Sequence, residues 1–225
     1  MQESRDIFSH LDELQVTEPS FIVASGPSGR PYYDLIPPSK FIAGINAAIV
    51  LPLQYNLWVC TTPAAHFFHE PYWAVGINSG VPSLMREEPA SVPPHGEIPM
   101  QNETATYTMR GHSIRAQAIP ENASTLDEGA SSVGVMAALL IHCGVEDIIT
   151  CGLEFQGIEH FDGTPTWKVE GDIWNTRRRW FNKLIDRAAE LGVRIRSLHP
   201  VHPGLNLEVV PPERIESWQM EPGGD

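Results

Sequence analysis

The stretch Phe21-Ile22-Val23-Ala24-Ser25-Gly26-Pro27-Ser28-Gly29 decides the fold. A short apolar run that ends in a Gly/Ser/Pro turn is typical of a buried strand followed by a tight loop. Four further apolar runs repeat this pattern, and the segments between them are long enough for helices or crossovers. The pattern therefore predicts an α/β fold whose mostly parallel sheet has helices on both faces. The predicted strands lie near residues 20–25, 41–45, 57–60, 147–152 and 193–198, the last of them at an edge of the sheet.

Two segments have the periodicity of helices. The first, at 130–142, consists of small and apolar residues nearly all round, which predicts a buried helix. The second, at 172–191, has an apolar stripe on one side. Between strands and helices, residues 86–125 are polar and Pro-rich without stable periodicity, so we expect an irregular, lid-like excursion there. The whole chain, 1–225, is predicted to be one domain with this excursion as an insertion.

Composition excludes several classes of function. The chain of 225 residues has 15 Lys and Arg against 28 Asp and Glu, so its formal charge is −13. That charge repels phosphate backbones, which argues against nucleic acid as a partner but leaves room for one local nucleotide pocket. No apolar run approaches the length of a membrane span, and the first residues lack the apolar core of a signal peptide. Three well-separated cysteines indicate free thiols, and we expect a cytoplasmic protein.

Three short motifs lie where ligands bind in open α/β sheets. The loop Gly26-Pro27-Ser28 is either an ordinary tight turn or a ligand loop whose N–H groups cradle an anion. Asn46, at the end of the second strand, either caps the next helix or hydrogen-bonds a base edge or ribose. Ser131 and Ser132 open the buried helix, where they serve as an N-terminal cap or as part of an anion site.

A fourth motif supplies candidates for chemistry. Glu154 follows the strand at 147–152 and is a candidate ligand for hydroxyl groups, and His160 in the next loop is the candidate acid or base. His199 and His202 have the spacing of metal ligands but no nearby Asp or Cys, and His66 and His69 share that spacing and that weakness, so we predict no metal site. The run 177–179 of three arginines is interpreted as a solvated helix face or a phosphate contact.

Together, the strand with its Gly-Pro-Ser loop, the strand with its Asn, the Ser-Ser helix and the strand ending in Gly-Leu-Glu-Phe resemble a known pattern. They are similar, in order and spacing, to the bacterial lipopolysaccharide sialyltransferases. They also resemble the related motility-associated-factor-like family, which includes the archaeal 6-hydroxymethylpterin diphosphokinases. The resemblance covers roughly residues 20–62 and 124–199.

The resemblance implies a Rossmann-like fold and a glycosyltransferase that uses a nucleotide sugar, most directly a cytidine-monophosphate (CMP) sugar, without a metal cofactor. Its acceptor would be a glycan or a small molecule. Two alternatives stay open: a diphosphokinase that uses ATP and Mg²⁺, and a non-catalytic module that binds a nucleotide or glycan. Where the sialyltransferases have tyrosines, Phe155 and Gln156 stand here, and residues 162–175 lack their histidine. The residues that the resemblance assigns to the nucleotide are Gly26, Pro27, Ser28, Asn46, Ser131 and Ser132.

Overall fold

The structure is a computed structural model that describes residues 16–60, 71–86, 106–109, 112–115, 131–155 and 173–219. Its centre is a sheet of nine strands in the order β6-β5-β4-β3-β2-β1-β7-β8-β9. From β4 to β9 in that order, every neighbouring pair is parallel. The strands are β1 Ser20–Val23, β2 Ile42–Ile45, β3 Leu57–Cys60, β4 Ser83–Arg86, β5 Thr106–Met109, β6 His112–Arg115, β7 Asp147–Cys151, β8 Arg194–Ser197 and β9 Glu208–Val209.

The predicted α/β class is confirmed, and each of the five predicted strands is present. β1, β2, β3 and β7 are buried along their whole length, as strands covered on both faces must be. The prediction that 193–198 is an edge strand is wrong. β8 pairs with β7 on one side and with the two-residue strand β9 on the other. The alternation of polar and apolar residues in its sequence does not correspond to alternating exposure, because Arg194 is exposed whereas Arg196 is buried in an ion pair.

Helices cover both faces of the sheet. On one face, α2 (Ser132–His142) and α3 (Ile173–Glu190) share a core with Ile22, Ala43 and other strand residues. On the other face lie the 3₁₀ helix Pro27–Leu35 and α4 (Pro212–Gln219), whose Trp218 packs edge-on against Phe21. A smaller cluster on β3 packs the 3₁₀ helix Asn46–Val50 and α1 (Pro71–Asn78) around Trp58. Along β1, β2 and β7, apolar residues alternate between the cores on the two faces, which fixes the register of these strands.

The stretch predicted to be irregular contains regular structure. Arg86 ends β4, and within 86–125 the structure describes β5 and β6, which extend the sheet beyond β4 by antiparallel pairing. The prediction of an irregular excursion is therefore wrong for these strands. The proline content of the flanking sequence concealed the β-forming run Thr-Tyr-Thr-Met at 106–109. The rest of 87–125 lies outside the described residues.

We call the side of the sheet at which the parallel strands begin the amino edge. Charged side chains there are bound to other groups of the chain. The Arg196 guanidinium donates to both carboxylate oxygens of Asp147, at 3.1 and 2.5 Å, and both side chains are buried. The Glu18 carboxylate accepts from the backbone N–H groups of Glu146 and Asp147, at 2.6 and 3.0 Å. Because these charges satisfy one another, the amino edge has a structural role.

Candidate functional site

The order of the strands reverses between β1 and β7. After β1 the chain adds β2, β3 and β4 on one side, and after β7 it adds β8 and β9 on the other. The connections at such a point leave in opposite directions and open a crevice at the carboxyl ends of the strands, where ligands of open α/β sheets bind. We call this side of the sheet the carboxyl edge. The loops that follow β1 and β7 meet there.

These two loops are held together backbone to backbone. The N–H of Ala24 donates to the carbonyl of Cys151 at 2.7 Å, and the N–H of Gly26 donates to the carbonyl of Gly152 at 2.9 Å. A Cβ on Gly26 would lie 2.4 Å from the Gly152 oxygen, and a Cβ on Gly29 would lie 2.7 Å from the Gly152 Cα. Gly26 and Gly29 therefore allow the β7 loop to approach closely. The sequence alone did not distinguish this reason for the glycines from close approach to a phosphate.

Glu154 accepts a hydrogen bond from the loop Gly26-Pro27-Ser28, whose N–H groups were candidates for binding an anion. Its Oε1 accepts from the backbone N–H of Ser28 at 2.6 Å, a short charge-assisted hydrogen bond. Within the described part of the chain, Oε2 has no hydrogen-bond partner, and the Ser28 hydroxyl, whose oxygen is buried, has none either. The loop therefore leaves one carboxylate oxygen, an acceptor suited to hydroxyl groups, rather than a free Ser28 N–H donor suited to phosphate.

Asn46 and Ser132 form a second pair at the carboxyl edge. The Ser132 hydroxyl donates to Oδ1 of Asn46 at 3.4 Å, and Nε1 of Trp58 donates to the Asn46 carbonyl at 2.9 Å. Asn46 was interpreted either as a helix cap or as a ligand-binding residue, and among the described residues its side chain makes no capping hydrogen bond. Ser131 does cap α2, because its Oγ accepts from the N–H of Gly134 at 3.1 Å. With Oδ1 engaged, the two N–H donors of the Asn46 amide have no partner among the described residues.

Backbone strain marks the same edge. Asn46 and Phe155 are the two non-glycine residues with left-handed φ in the described ranges, at 50° and 47°. Asn tolerates this region, but a bulky residue such as Phe rarely adopts it. Phe155 is held by packing against Phe181, with ring centroids 5.4 Å apart. Strained residues cluster at ligand-binding sites, and here both follow strands at the carboxyl edge.

His199 braces the β7 loop, a role that the sequence did not predict. The imidazole is buried; its Nε2 accepts from the N–H of Gly152 at 2.7 Å, and its Nδ1 lies 2.8 Å from the carbonyl of Pro200. These partners require a neutral ring with the proton on Nδ1. The only sequence signal was the position of His199 directly after β8.

Tyr33, in the 3₁₀ helix Pro27–Leu35, braces the β1 loop. Its hydroxyl lies 3.2 Å from the carbonyls of both Ala24 and Gly26, on either side of the turn. Burial raises the pKa of the Tyr33 phenol, and burial also raises the pKa of the Cys151 thiol, whose Sγ lies 3.8 Å from the Gly29 carbonyl. Both groups are therefore protonated at neutral pH, and they serve as structure rather than as nucleophiles.

The arginine run on α3 is not a uniform solvated face. Arg178 donates from Nη1 to the Phe155 carbonyl at 2.5 Å, which ties α3 to the β7 loop. Arg177 is half-buried, with its guanidinium 5.1 Å from the centre of the Trp174 ring. Arg179 alone is exposed, and it donates to the Thr176 hydroxyl at 3.3 Å. Desolvation by burial lowers the pKa of Arg177.

Three further sequence predictions concern the general base, a metal site and a membrane span. His160 lies outside the described residues. In the described ranges, no three His, Cys, Asp or Glu side chains come together in a way that would hold a metal ion. The same ranges contain no helix that is both long and apolar enough to cross a bilayer. Comparison of the chain with protein-family models, with curated proteins and with solved structures found no match.

Proposed function

We propose that this chain is a glycosyltransferase that binds a nucleotide sugar, with a CMP-sugar as donor, at the carboxyl edge of β1 and β7. The observation that carries the proposal is that two polar pairs lie at the carboxyl ends of neighbouring strands: Ser28 with Glu154 after β1 and β7, and Asn46 with Ser132 after β2. The resemblance to the lipopolysaccharide sialyltransferases supports the choice of donor. The free thiols among the cysteines support the cytoplasm as the compartment.

Each group has a role in this proposal. The Asn46 amide donates to the base or the ribose, and the loop Gly26-Pro27-Ser28 lines the nucleotide. Ser131 and Ser132 start a helix of 11 residues, whose amino end favours negative charge and so stabilises the departing phosphate. Glu154 binds hydroxyl groups of the ribose or the transferred sugar through Oε2.

The chemistry requires one proton acceptor besides these binding groups. The acceptor oxygen bonds to the anomeric carbon of the donor while the bond from that carbon to the phosphate oxygen breaks. The hydroxyl proton passes to His160, the proposed general base, and the nucleotide leaves with the electron pair. Most of the rate enhancement then comes from positioning and from stabilisation of charge on the phosphate.

A thermal-shift panel of CMP, UDP, GDP and ATP, each with and without Mg²⁺, tests the proposal. A ligand at 100 times its Kd stabilises the fold by about 2.7 kcal/mol. For a chain of this size, that raises Tm by roughly 5–10 °C. We expect this shift with CMP and without Mg²⁺, followed by release of CMP from a CMP-sugar when an acceptor is added.

The other outcomes identify the alternatives. A shift with ATP that requires Mg²⁺ would replace the proposal with a diphosphokinase, and binding of CMP with no turnover of any donor would indicate a binding module. The variant Asn46→Gly removes the amide and keeps a residue that accepts the left-handed backbone. It should abolish the CMP shift, whereas Asn206→Gly, at an exposed position, should leave the shift unchanged.

A further inference from the structure

Arg177, near the start of α3, has no acidic partner among the described residues. Arg177 makes no ion pair and no hydrogen bond within the described part of the chain; its one recorded contact is with the Trp174 ring. Half-buried charges are normally paired, because partial desolvation of an unpaired charge costs free energy. Stacking on an aromatic ring offsets that cost only in part.

The position of Arg177 connects it to the carboxyl edge. It lies in the second turn of α3, and its neighbour Arg178 is bonded to the Phe155 carbonyl in the loop that carries Glu154. Trp174, beneath the guanidinium, packs against the core cluster that includes Leu153 and Phe155. The first turns of α3 are therefore fixed against the β7 loop.

An anion at this edge needs a donor other than the β1 loop. The N–H of Ser28 is already bonded to Glu154, and that carboxylate repels a second negative charge. An arginine presents a planar fork of N–H donors that matches two phosphate oxygens at once. Trp174 limits the positions that the guanidinium can adopt, which lowers the entropy lost on binding.

We propose that Arg177, stacked on Trp174, binds a phosphate group of a ligand, and that Arg178 is a positioning residue that anchors α3 to the β7 loop. The site does not depend on the identity of the nucleotide. It rests on the proposed function only where the phosphate is that of the nucleotide donor. The other source of the same chemistry is a free phosphate or a phosphorylated acceptor.

The first experiment measures binding of inorganic phosphate and pyrophosphate by calorimetry at constant, low ionic strength. The variants are Arg177→Gln and, as a matched control on the same helix, Arg179→Gln. We expect the wild-type chain and Arg179→Gln to bind alike, and Arg177→Gln to bind roughly 10-fold to 100-fold more weakly, as loss of a charge-assisted contact predicts. Arg177→Lys, which keeps the charge but not the fork, should fall between them. Equal binding by Arg177→Gln and the wild type, or no binding by the wild type, would overturn the proposal.

The second experiment identifies the source of the phosphate and separates this inference from the proposed function. If the phosphate is that of the donor, Arg177→Gln weakens binding of CMP and leaves binding of cytidine unchanged. If it belongs to another ligand, Arg177→Gln loses phosphate binding while its affinity for CMP equals that of the wild type. A chain that binds phosphate through Arg177 but binds no nucleotide would refute the proposed function and retain this site.

Discussion

Replacement of Glu154 tests whether its carboxylate fixes the β1 loop. The hydrogen bond from the Ser28 N–H to Oε1 is 2.6 Å long and partly buried, and it joins residues 126 positions apart in the chain. Glu154→Ala leaves that N–H without its acceptor, which costs about 1–3 kcal/mol. At about 2–4 °C per kcal/mol for a chain of this size, Tm should fall by roughly 2–12 °C.

Glu154→Gln separates charge from geometry. The amide oxygen still accepts from Ser28, but a neutral acceptor contributes about 1 kcal/mol less than a charged one. We therefore expect its stability to lie between those of the wild type and Glu154→Ala. Glu216→Ala, at an exposed position on α4, is the matched control and should change the free energy of unfolding by less than about 0.5 kcal/mol.

Two measurements check the Glu154 prediction. Urea denaturation gives the free energy of unfolding of each variant, and amide hydrogen exchange reports on the Ser28 N–H itself. That amide should exchange slowly in the wild type and much faster in Glu154→Ala, while amides of β1 keep their protection. Slow exchange at Ser28 in Glu154→Ala, or equal stability of Glu154→Gln and Glu154→Ala, would refute the role given to the carboxylate.

Three further predictions concern the groups around the site. His199→Ala should destabilise the fold by at least about 1–3 kcal/mol, because the buried N–H of Gly152 loses its acceptor, whereas His202→Ala should cost less; urea denaturation of both variants measures the difference. The free energy of unfolding of Asn46→Ala should be about 1 kcal/mol lower than that of Asn46→Gly, because a left-handed φ is unfavourable for alanine and not for glycine. Equal free energies of unfolding in urea would argue against strain at this position. The raised pKa of Tyr33 means that the folded chain keeps a phenol proton that the unfolded chain releases, so stability should fall as pH rises above 10, and less steeply in Tyr33→Phe.

The sheet was predictable where hydrophobicity alone determines a strand. Continuous apolar runs such as Phe21-Ile22-Val23 have no other stable place in a chain of this composition, so β1, β2, β3 and β7 were found within one or two residues. Of the strands that were missed, β5 and β6 form the antiparallel extension and β9 has two residues, so pairing with a neighbour outweighs local propensity there; β4 has the same length as β1 but lacks a continuous apolar run. The strand β9 has only two residues, too few to be predicted from the sequence, and it pairs with the outer side of β8. Because β9 was not predicted, β8 was assigned to the edge of the sheet.

The site residues were predictable by position, whereas their partners were not. Asn46 and Glu154 stood out because each follows a buried strand. That Glu154 occupies the Ser28 N–H, and that His199 holds Gly152, depends on contacts between segments 126 and 47 residues apart. Such contacts follow from the order of strands in the sheet, which a single sequence does not specify. The same holds for Arg177, whose lack of a partner among the described residues depends on which segments surround α3.

The central claim is that a nucleotide binds where β1 and β7 diverge, and titration of the ¹⁵N-labelled chain with CMP tests it most directly. We expect the largest chemical-shift changes at the backbone amides of Ser28, Asn46, Ser132 and Glu154. The amide of Asp147, the first residue of β7 at the amino edge, should stay unchanged and serves as the internal control. Shift changes confined to the amino edge, or no shift changes at millimolar CMP, would contradict the claim.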